Sequence, residues 1–417
     1  MNELPNEKTV AVIGAGAAGL MACGTLAQRG FNVKLFDKNN MPGRKLRITG
    51  KGRCNITNIA DIDEFINNIP ENARFLYSAF SAFDNTDIIN LLNKEGLETK
   101  IERGGRVFPK SDNAKDVVDA LFKFAMRGNV KFITHAVKEI VAQDGCVKGI
   151  KLSGGTFVPA DAVIVATGGV SYPLTGSDGD GYKFAKKLGH TITDLTPGLV
   201  PLTVEQDWVS SLMGLSLKNI AITLFDQSGK KVYNDFGEMM FAHFGLTGPV
   251  ILSASMHIKS PANGYFICVD LKPALTQQKL EKRLQRDFEE NINKKVANAL
   301  DGLLPKKLIP VILKLWGTDE NKPVHQITKS ERAKLVTLLK NIRFDIKDFR
   351  PIEEAIITRG GINTKEINPS TMESKLVKGL YFAGEVLNVS AYTGGYNLQI
   401  AFSTGHLAGM SVKEGED

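Results

Sequence analysis

The chain has 417 residues, of which 43% are hydrophobic and 23% are charged. This length exceeds one ordinary hydrophobic core, so we expect two or three domains. No apolar run is long enough to span a bilayer, and the first nine residues lack the apolar core of a signal peptide, so we expect a cytoplasmic protein that does not enter membranes. The four cysteines lie far apart without a CxxC spacing, a pattern that predicts neither a metal site nor a redox disulfide.

The formal net charge of +7 is concentrated in one part of the chain. Between Lys272 and Lys347 there are 17 Lys/Arg and nine Asp/Glu, whereas the remainder has 35 and 36. A basic helical surface of this kind can bind nucleic acid or anionic lipid, but it is more often simply a solvated face. We therefore expect a small-molecule substrate, and we do not expect nucleic acid as the main partner.

A nucleotide-binding pattern opens the chain. Val10 to Ile13 is an apolar run typical of a buried parallel strand, and it leads into Gly14, Gly16 and Gly19 of a GxGxxG turn and then a helix-period stretch. The first glycine permits the tight turn, the second lets backbone N–H groups approach a pyrophosphate, and the third allows close helix–strand packing. A second strand ends at Asp37, whose carboxylate can accept both hydroxyls of an adenosine ribose. The pattern predicts a dinucleotide site.

Later segments select FAD among the dinucleotides. Residues 136–158 form three short runs divided by turn signals, which predicts a β-meander, and residues 161–166 form a buried strand that ends in Thr167 and Gly168. Both features resemble the glutathione-reductase-like flavoprotein superfamily, in which this region lies beside the adenosine half of FAD. The strand ending in Gly384 and Glu385 resembles that superfamily's second FAD motif, whose carboxylate holds the ribityl chain. Residues 394–399 then open a last helix, whose free N–H groups are expected at the pyrimidine edge of the flavin.

The segment from residue 42 to residue 58 is the densest cluster of glycine, cation and amide in the chain. Arg44 and Lys45 are predicted to neutralise the pyrophosphate. Backbone amides around Thr49 to Gly52, together with the Asn55 amide, are predicted to reach the N5 and O4 edge of the flavin. The alternative is a merely flexible basic loop.

Two further clusters have open interpretations. In residues 104–111, Ser111 is a plausible N-cap for a helix from Asp112 to Arg127, and Arg106 either anchors a substrate anion or ties its loop to the sheet. In residues 241–249, His243 lies in an expected loop before a helix, where it is either an acid or base over the flavin or a structural residue.

The domain division follows from a change of pattern along the chain. An α/β, Rossmann-like FAD-binding domain is predicted for residues 1–196 plus 349–417. It is interrupted by a strand-rich, β-barrel-like subdomain at 197–271 and by a small helical subdomain at 272–348, where apolar residues recur at helical spacing.

Several motifs together resemble the bacterial BaiN-like and aminoacetone-oxidase-like family of NAD(P)/FAD-dependent oxidoreductases. The resemblance spans nearly all of the chain and implies a split FAD domain with an inserted barrel and helical subdomain. In the family, an acidic pair spaced by one residue commonly follows Gly384-Glu385-Val-Leu, whereas this chain has the neutral Asn388 and Ser390. The motifs are GRKLRITGKGRCNITN, GRVFPKS, ATGGVSYPLTGSDGDGY, HFGLTGP and TMESKLVKGLYFAGEVLNVSAYTGGYNLQIAFSTGHLAG.

The residues expected to contact FAD come from all of these segments. They are Gly14, Ala15, Gly16, Ala17, Ala18, Gly19, Asp37, Lys38, Gly43, Arg44, Lys45, Thr49, Gly50, Gly52, Arg53, Cys54, Asn55, Val137, Ala166, Thr167, Gly168, Gly384, Glu385, Gly395, Tyr396, Asn397 and Leu398. The sequence does not assign the catalytic residue. The candidates are His243, Tyr172, Tyr392 and Cys54.

The leading hypothesis is an FAD-dependent oxidoreductase that passes a hydride between flavin N5 and a small or flat organic substrate. An NAD(P)H-driven reductase of conjugated enones is one form of it. NAD(P)H would then dock transiently, because no second Rossmann fingerprint follows the Thr-Gly turn. The alternatives are an amine or carbonyl oxidase that uses oxygen, a flavin-dependent RNA-modifying or RNA-binding protein, and a flavin-loaded redox sensor without turnover.

Overall fold

The computed structural model describes residues 6–414, which divide into two compact units. The Rossmann unit comprises the described residues up to Gly198 together with those from Pro351 onward, and the barrel unit comprises Leu199–Arg350. Within residues 6–414, no helix is long and apolar enough to cross a membrane.

The elements follow in chain order. The strands are β1 (Asn6–Ile13), β2 (Phe31–Asp37), β3 (Thr57–Asn58), β4 (Thr99–Glu102), β5 (Arg106–Pro109), β6 (Val130–Thr134), β7 (Val137–Gln143), β8 (Cys146–Leu152), β9 (Phe157–Pro159), β10 (Ala162–Val165), β11 (Thr196–Gly198), β12 (Leu202–Val204), β13 (Ser216–Phe225), β14 (Lys231–Ala242), β15 (Gly245–Thr247), β16 (Phe266–Asp270), β17 (Ile342–Phe349), β18 (Ile357–Arg359) and β19 (Leu380–Phe382). The α-helices are α1 (Ala17–Gln28), α2 (Arg44–Gly52), α3 (Ile62–Asn67), α4 (Tyr77–Ala82), α5 (Asn85–Lys94), α6 (Ala114–Ala125), α7 (Asp180–Lys187), α8 (Pro249–Ser255), α9 (Gln277–Glu290), α10 (Val296–Ala299), α11 (Ile309–Trp316), α12 (Lys329–Lys340) and α13 (Tyr396–Ser411).

A five-stranded parallel sheet in the order β19-β10-β1-β2-β6 forms the centre of the Rossmann unit. Its inner strands are continuous apolar runs because both faces of the sheet are covered, and the residues of β10 are all buried. The register pairs Ile13 with both Phe36 and Val165, and Val165 with Phe382. The chain segments that follow four strands therefore begin at one common edge, where ligands of open α/β sheets bind.

Helices α1 and α13 pack in parallel through glycines of α13. A Cβ on Gly405 would lie 2.3 Å from the Ala18 carbonyl oxygen, and one on Gly409 would lie 3.0 Å from the Ala22 carbonyl oxygen. The two backbones therefore touch without intervening side chains, and the N-termini of both helices point the same way. This contact joins the first and the last parts of the chain.

The barrel unit is a closed barrel in the strand order β12-β15-β14-β13-β16-β17. Helices α9 to α12 lie between β16 and β17 in the chain, and Leu280, Leu284 and Phe288 form the buried stripe of α9. Their apolar side chains share one core with those of the barrel strands. The α/β class with an inserted barrel and a helical region, as predicted from the sequence, is confirmed.

Three local expectations were wrong. Residues 342–349, assigned mostly to the helical subdomain, form β17 of the barrel, because their alternating burial suits a strand with one buried face. The helix expected from Asp112 is α6, which begins at Ala114; Asn113, not Ser111, caps it by accepting a hydrogen bond from the Lys115 N–H. The segment around His243 leads into a helix as expected, α8 from Pro249, but it is not a loop: His243 lies in the tight turn between β14 and β15.

Candidate active site

The turn between β1 and α1 leaves no space for side chains on its inner side. Gly14 has φ +104°, and a Cβ there would lie 2.5 Å from the Ala166 carbonyl oxygen. A Cβ on Gly19 would lie 1.8 Å from the Gly14 carbonyl oxygen. Gly16 is the opposite case, because no atom lies within 4 Å of a Cβ built there, and no side chain caps the start of α1. The uncapped N–H groups thus border open space and suit the binding of a pyrophosphate.

Asp37 at the end of β2 is already partly hydrogen-bonded by the protein. Its Oδ2 accepts the Ala15 N–H at 2.8 Å, and its Oδ1 accepts the backbone and side-chain N–H groups of Asn39 at 2.8 and 3.0 Å. Since each carboxylate oxygen accepts about two hydrogen bonds, Oδ2 retains one position for a ribose hydroxyl. The carboxylate is thereby oriented, but it offers fewer positions than the two hydroxyls we expected it to accept.

Lys45 and Glu385 are 340 residues apart in sequence and form an ion pair at the common edge of the sheet. The Lys45 ammonium donates to Glu385 Oε2 at 2.7 Å and to Oε1 at 3.0 Å, and also to the Ser171 hydroxyl at 2.7 Å. Oε1 accepts two further hydrogen bonds, from the Thr358 N–H at 2.8 Å and from the Ser171 hydroxyl at 3.2 Å. Among residues 6–414, Lys45 is the one donor to Oε2, which leaves that oxygen a position for a ligand hydroxyl. We call Lys45, Ser171, Thr358 and Glu385 the carboxylate cluster.

The end of α2 is distorted into a run of left-handed residues. Gly50, Lys51 and Gly52 have φ of +57°, +59° and +83°, and Cys54 has φ +60°. A left-handed conformation at Lys51 and Cys54 costs free energy, and such strain is concentrated at functional sites. The backbone N–H of Cys54 donates to the Thr49 carbonyl, which holds the turn closed.

Four buried side-chain polar atoms of the Rossmann unit have no hydrogen-bond partner among residues 6–414. Two of them lie beside a charged side chain: Oε2 of Glu95 is 3.6 Å from Lys123, and Nδ1 of His190 is 3.3 Å from Glu366. The other two are Oδ1 of Asn55 and Oγ1 of Thr167. An unsatisfied buried polar atom costs about 1–3 kcal/mol, so native proteins rarely leave one without a ligand or water. Both residues were predicted to contact the cofactor. A dinucleotide rich in hydroxyl and N–H groups would supply the missing donors, and together with the open space at Gly16 this makes the residues a good fit for FAD.

The start of α13 is built on two glycines with positive φ, Gly394 at +133° and Gly395 at +103°. A Cβ on Gly395 would lie 2.4 Å from the backbone carbonyl of Thr57, so the helix begins in direct contact with β3. No side chain caps this helix, and its first N–H groups, those of Tyr396, Asn397 and Leu398, are free to face a ligand. Asn397 instead bonds backward to both backbone groups of Ala391 and orders the preceding loop.

The family model described as the HI0933-like protein Rossmann domain matches residues 8–411. The chain belongs to this family. It is an FAD-dependent oxidoreductase by the same comparison and by its curated relatives. The chain is 33% identical to the 3-dehydro-bile acid delta(4,6)-reductase of Clostridium scindens, over 97% of this chain and 99% of that protein. It is 32% identical to the ribosomal RNA dihydrouridine synthase of Escherichia coli K12, over 94% and 95%.

Two solved structures share the fold of this HI0933-like chain across almost the whole length. One is the 3-ketosteroid-delta4-(5alpha)-dehydrogenase of Rhodococcus jostii RHA1, with a TM-score of 0.51, 15% identity and coverage of 99% and 98% of the two chains. The other is the 3-ketosteroid delta1-dehydrogenase of Sterolibacterium denitrificans, with a TM-score of 0.53, 12% identity and coverage of 97% and 99%. At these identities the likeness concerns the fold.

Other predicted contacts of the HI0933-like site are engaged elsewhere in the protein. Arg44 donates to the Asn39 side chain at 2.6 Å, and Lys38 pairs with Asp180 at 3.1 Å and also with Asp178. Arg53 binds the carboxylates of Glu102 and Asp112. Val137 lies at the start of the β7-β8-β9 meander. Arg44 and Lys45 each have a partner in the protein, and their contact with a pyrophosphate stays a prediction.

The four catalytic candidates lie in different surroundings. Cys54 is fully buried, and burial raises the pKa of its thiol to about 12, which leaves it protonated near neutral pH. Tyr172 adopts φ +52°, and its N–H donates to the Glu353 carbonyl. Tyr392 lies four residues before α13 begins at Tyr396, and its carbonyl accepts a hydrogen bond from the Asn397 side chain. His243 belongs to the barrel unit, where its ring lies edge-on to that of Phe244.

Sequence reasoning did not select two members of the carboxylate cluster. Ser171 lies in the motif ATGGVSYPLTGSDGDGY but was given no role, and Thr358 lies in a segment that was not considered. Thr358 also accepts the Val170 and Ser171 N–H groups through its hydroxyl. A Cβ on Gly169 would lie 2.3 Å from that hydroxyl, so the adjacent Gly168-Gly169 pair was the one signal that another segment packs closely there.

Proposed function

We propose that the protein reduces a carbon–carbon double bond conjugated to a carbonyl group, with bound FAD supplying the hydride. The observation that carries this proposal is the pairing of a glycine-built cofactor cradle with unsatisfied polar atoms at Asn55 and Thr167. Two relatives of nearly full length support the reaction type by their names. A 3-oxo steroid with 4,6 double bonds and a uracil ring both contain a double bond conjugated to a carbonyl, and both reactions saturate it.

Different residues of this chain would bind different groups of FAD. The uncapped start of α1 would bind the pyrophosphate, Asp37 would accept a ribose hydroxyl, and Glu385 would accept a ribityl hydroxyl through Oε2. The N–H groups and the positive dipole end at the start of α13 would face the pyrimidine edge of a bound flavin and would favour negative charge there.

The reduction also needs a proton, because hydride addition to one carbon of the double bond leaves negative charge that is shared between the other carbon and the carbonyl oxygen. We assign the proton donor to Tyr392. Its backbone is fixed beside the start of α13 by two hydrogen bonds, from its N–H to the Asn68 carbonyl and from Asn397 Nδ2 to its carbonyl. A tyrosine hydroxyl is a suitable general acid. Tyr172 is the alternative within the Rossmann unit.

The test is anaerobic stopped-flow absorbance of the FAD-loaded protein mixed with NADH or NADPH. Fast bleaching of the oxidised flavin band followed by reoxidation on adding a steroid 4-en-3-one or a uridine-containing RNA supports the proposal, and Tyr392→Phe should slow the reoxidation step alone. Absence of bleaching with both nicotinamides, combined with peroxide release from amines or carbonyl compounds in air, would replace it with an oxidase function.

A ribosomal RNA substrate is the second candidate within the same chemistry. The observation that favours it is the pair of relatives named ribosomal RNA dihydrouridine synthase, from Escherichia coli K12 at 32% identity and from Haemophilus influenzae at 30% identity. The excess of Lys and Arg over Asp and Glu in residues 272–347 is compatible with an RNA substrate. Product analysis separates the two substrates, because loss of the uracil double bond in RNA raises the nucleoside mass by two hydrogens.

A further inference from the structure

A group of cations lies on the surface of the Rossmann unit, on the left-handed turn at the end of α2 and on the β4–β5 hairpin. We call it the cationic rim, and it consists of Lys51, Arg53, Lys100, Arg103 and Arg106. Lys51 and Arg103 are exposed and have no ion-pair partner among residues 6–414. The nearest carboxylate oxygen to the Arg106 guanidinium belongs to Glu102, at 3.9 Å. These three charges are available to a ligand.

The remaining two cations of the rim are neutralised by Glu102 and Asp112. Arg53 binds both carboxylates, and Lys100 pairs with Asp112 at 2.6 Å. The hydrogen bond from Arg53 lowers the pKa of Glu102, and those from Lys100 and Arg53 lower the pKa of Asp112. Both acids therefore stay ionised across the neutral range. Five cations against two carboxylates leave a constant local charge of +3.

The rim is held in place by aromatic and hydrogen-bond contacts. The Arg53 and Arg106 guanidinium groups lie 4.3 and 5.6 Å from the centre of the buried Phe108 ring. Arg106 Nε donates to the Arg103 carbonyl at 3.0 Å, which ties the hairpin turn together. Of the two interpretations of Arg106 that the sequence left open, the contact to the loop therefore exists, and the outer part of the side chain is still 43% exposed.

A single side chain, that of Asn58, connects the rim to the start of α13, where the flavin is expected. The Asn58 side chain donates both to the Gly104 carbonyl at 2.9 Å and to the Gly394 carbonyl at 3.1 Å. Gly104 follows Arg103 directly, and Gly394 lies at the start of α13. Arg103 therefore lies next to a loop that a single side chain ties to the start of α13. Ile59 and Ile101, which are 50% and 61% exposed, flank the same hairpin.

We infer that the cationic rim binds the sugar–phosphate backbone of an RNA substrate while the base to be reduced enters the site beside α13. The inference rests on the proposed function and names its substrate class. A lone carboxylate, such as that of a steroid acid, needs one oriented cation, usually a buried one that binds in two places. Two exposed charges and that of the half-exposed Arg106, spread along a turn and a hairpin, suit successive phosphates, which are bound mainly by electrostatics.

The test measures binding of the full-length, FAD-loaded protein to a short, fluorescein-labelled, uridine-rich single-stranded RNA by anisotropy at several salt concentrations. The rim variant carries Lys51→Gln, Arg103→Gln and Arg106→Gln. The matched control carries Lys218→Gln, Lys230→Gln and Lys231→Gln, which removes the same charge from exposed positions of the barrel unit outside residues 272–347. Loss of three phosphate contacts should reduce the slope of log affinity against log salt by about 2 and weaken binding roughly 100-fold near 0.1 M salt. The control should bind like the wild type.

Three results would overturn the inference: a rim variant that binds RNA like the wild type, a control that loses as much affinity as the rim variant, or a wild type without affinity for RNA at low salt. In the last case, continued reduction of a steroid 4-en-3-one would show that the proposed reaction stands while the RNA assignment fails. An increased KM of the rim variant for a steroid acid, without any RNA binding, would assign the rim to a single carboxylate.

A single change keeps the test valid if the triple variant does not fold. Arg103→Gln alters an exposed side chain without an ion-pair partner in the described chain, and it should reduce the salt slope by about 0.7. FAD content and the thermal unfolding temperature are measured for each variant. A normal slope in a folded Arg103→Gln protein contradicts the inference as directly as the triple variant does.

Discussion

The glycine turn after β1 and the carboxylate cluster after β19 lie at the same edge of one parallel sheet, but they are built by opposite means. In the turn, backbone atoms pack directly against other backbone atoms. A Cβ at Gly19 would therefore lie 1.8 Å from a carbonyl oxygen. The cluster consists of three side chains and the Thr358 N–H, from four separate segments, joined by hydrogen bonds of 2.7–3.2 Å.

The glycine turn and the carboxylate cluster should therefore respond differently to substitutions. A backbone contact cannot adapt by rotating a side chain, so its disruption is nearly all or none. A hydrogen-bonded cluster loses one interaction at a time, and each loss is worth about 1.5–3 kcal/mol when a charge is involved. The variants below test that distinction.

The largest effect is expected at Gly19. Gly19→Ala places a methyl group 1.8 Å from the Gly14 carbonyl oxygen, so the turn or α1 must move, and we expect a loss of at least about 3 kcal/mol in the free energy of unfolding together with loss of bound FAD. The matched control is Gly16→Ala, at φ −85° with no atom within 4 Å. It should leave the unfolding temperature of the apoprotein unchanged and weaken FAD binding alone. A stable, flavin-loaded Gly19→Ala protein would show that the turn is adaptable.

Removal of the cluster's charge should have the next largest effect. Glu385→Gln removes the ionised acceptor proposed for the ribityl hydroxyl and leaves Lys45 without its partner, so FAD affinity should fall about 10- to 100-fold. Fluorescence quenching during titration of the apoprotein with FAD measures this. Glu98→Gln, which breaks an exposed ion pair with Lys110, serves as the control and should have no effect. Full FAD affinity in Glu385→Gln would refute the assignment.

The same titration tests whether Lys45 acts through Glu385. Lys45→Met alone should weaken FAD binding, because the carboxylate loses the donor that orients both of its oxygens. In the Glu385→Gln background the same change should add little, since residues in one network show strong coupling. Additive losses would mean that Lys45 contacts the cofactor independently.

A smaller effect of unusual sign is expected at Thr167. Thr167→Val replaces a buried hydroxyl that has no partner among the described residues with a methyl group of similar shape. The apoprotein should become slightly more stable, because an unsatisfied group is removed, while FAD affinity falls about 3- to 10-fold through loss of one hydrogen bond worth about 0.5–1.5 kcal/mol. Thermal unfolding of the apoprotein and FAD titration measure the two effects. Losses in both would mean that Thr167 has a purely structural role.

The two regions also differ in how far the sequence could predict them. The glycine turn is local: its strand, glycines and helix are consecutive, so periodicity and glycine spacing were enough to predict the positions of Gly14, Gly16 and Gly19. Glu385 was recognisable from the strand before it. Its partners were not, because the contact between Lys45 and Glu385 joins positions 340 residues apart and depends on the register of the whole sheet.

The errors have similar physical causes. Ser111 was chosen as a cap by residue type alone, but Asp112, next to it, pairs with Arg53 and Lys100 and adopts φ +53°, so the helix begins later, at Ala114. Strand β17 follows a helical stretch directly, and only its pairing with β12 and β16 assigns it to the barrel. Both outcomes depend on long-range contacts that a single sequence does not contain.

The smallest effect, and the one that separates a structural role from a catalytic one, concerns Cys54. Burial raises the pKa of its thiol from near 9 to about 12, so the folded protein holds this proton more tightly than the unfolded chain. The resulting stabilisation is fully present below about pH 9 and is lost as the pH rises toward 12. Cys54→Ala should remove that part of the alkaline pH dependence of unfolding and leave the pH profile of flavin reduction between about pH 6 and 9 unchanged, because no thiolate is present there. A profile that loses a titration near neutral pH in this variant would instead assign Cys54 a direct part in the chemistry.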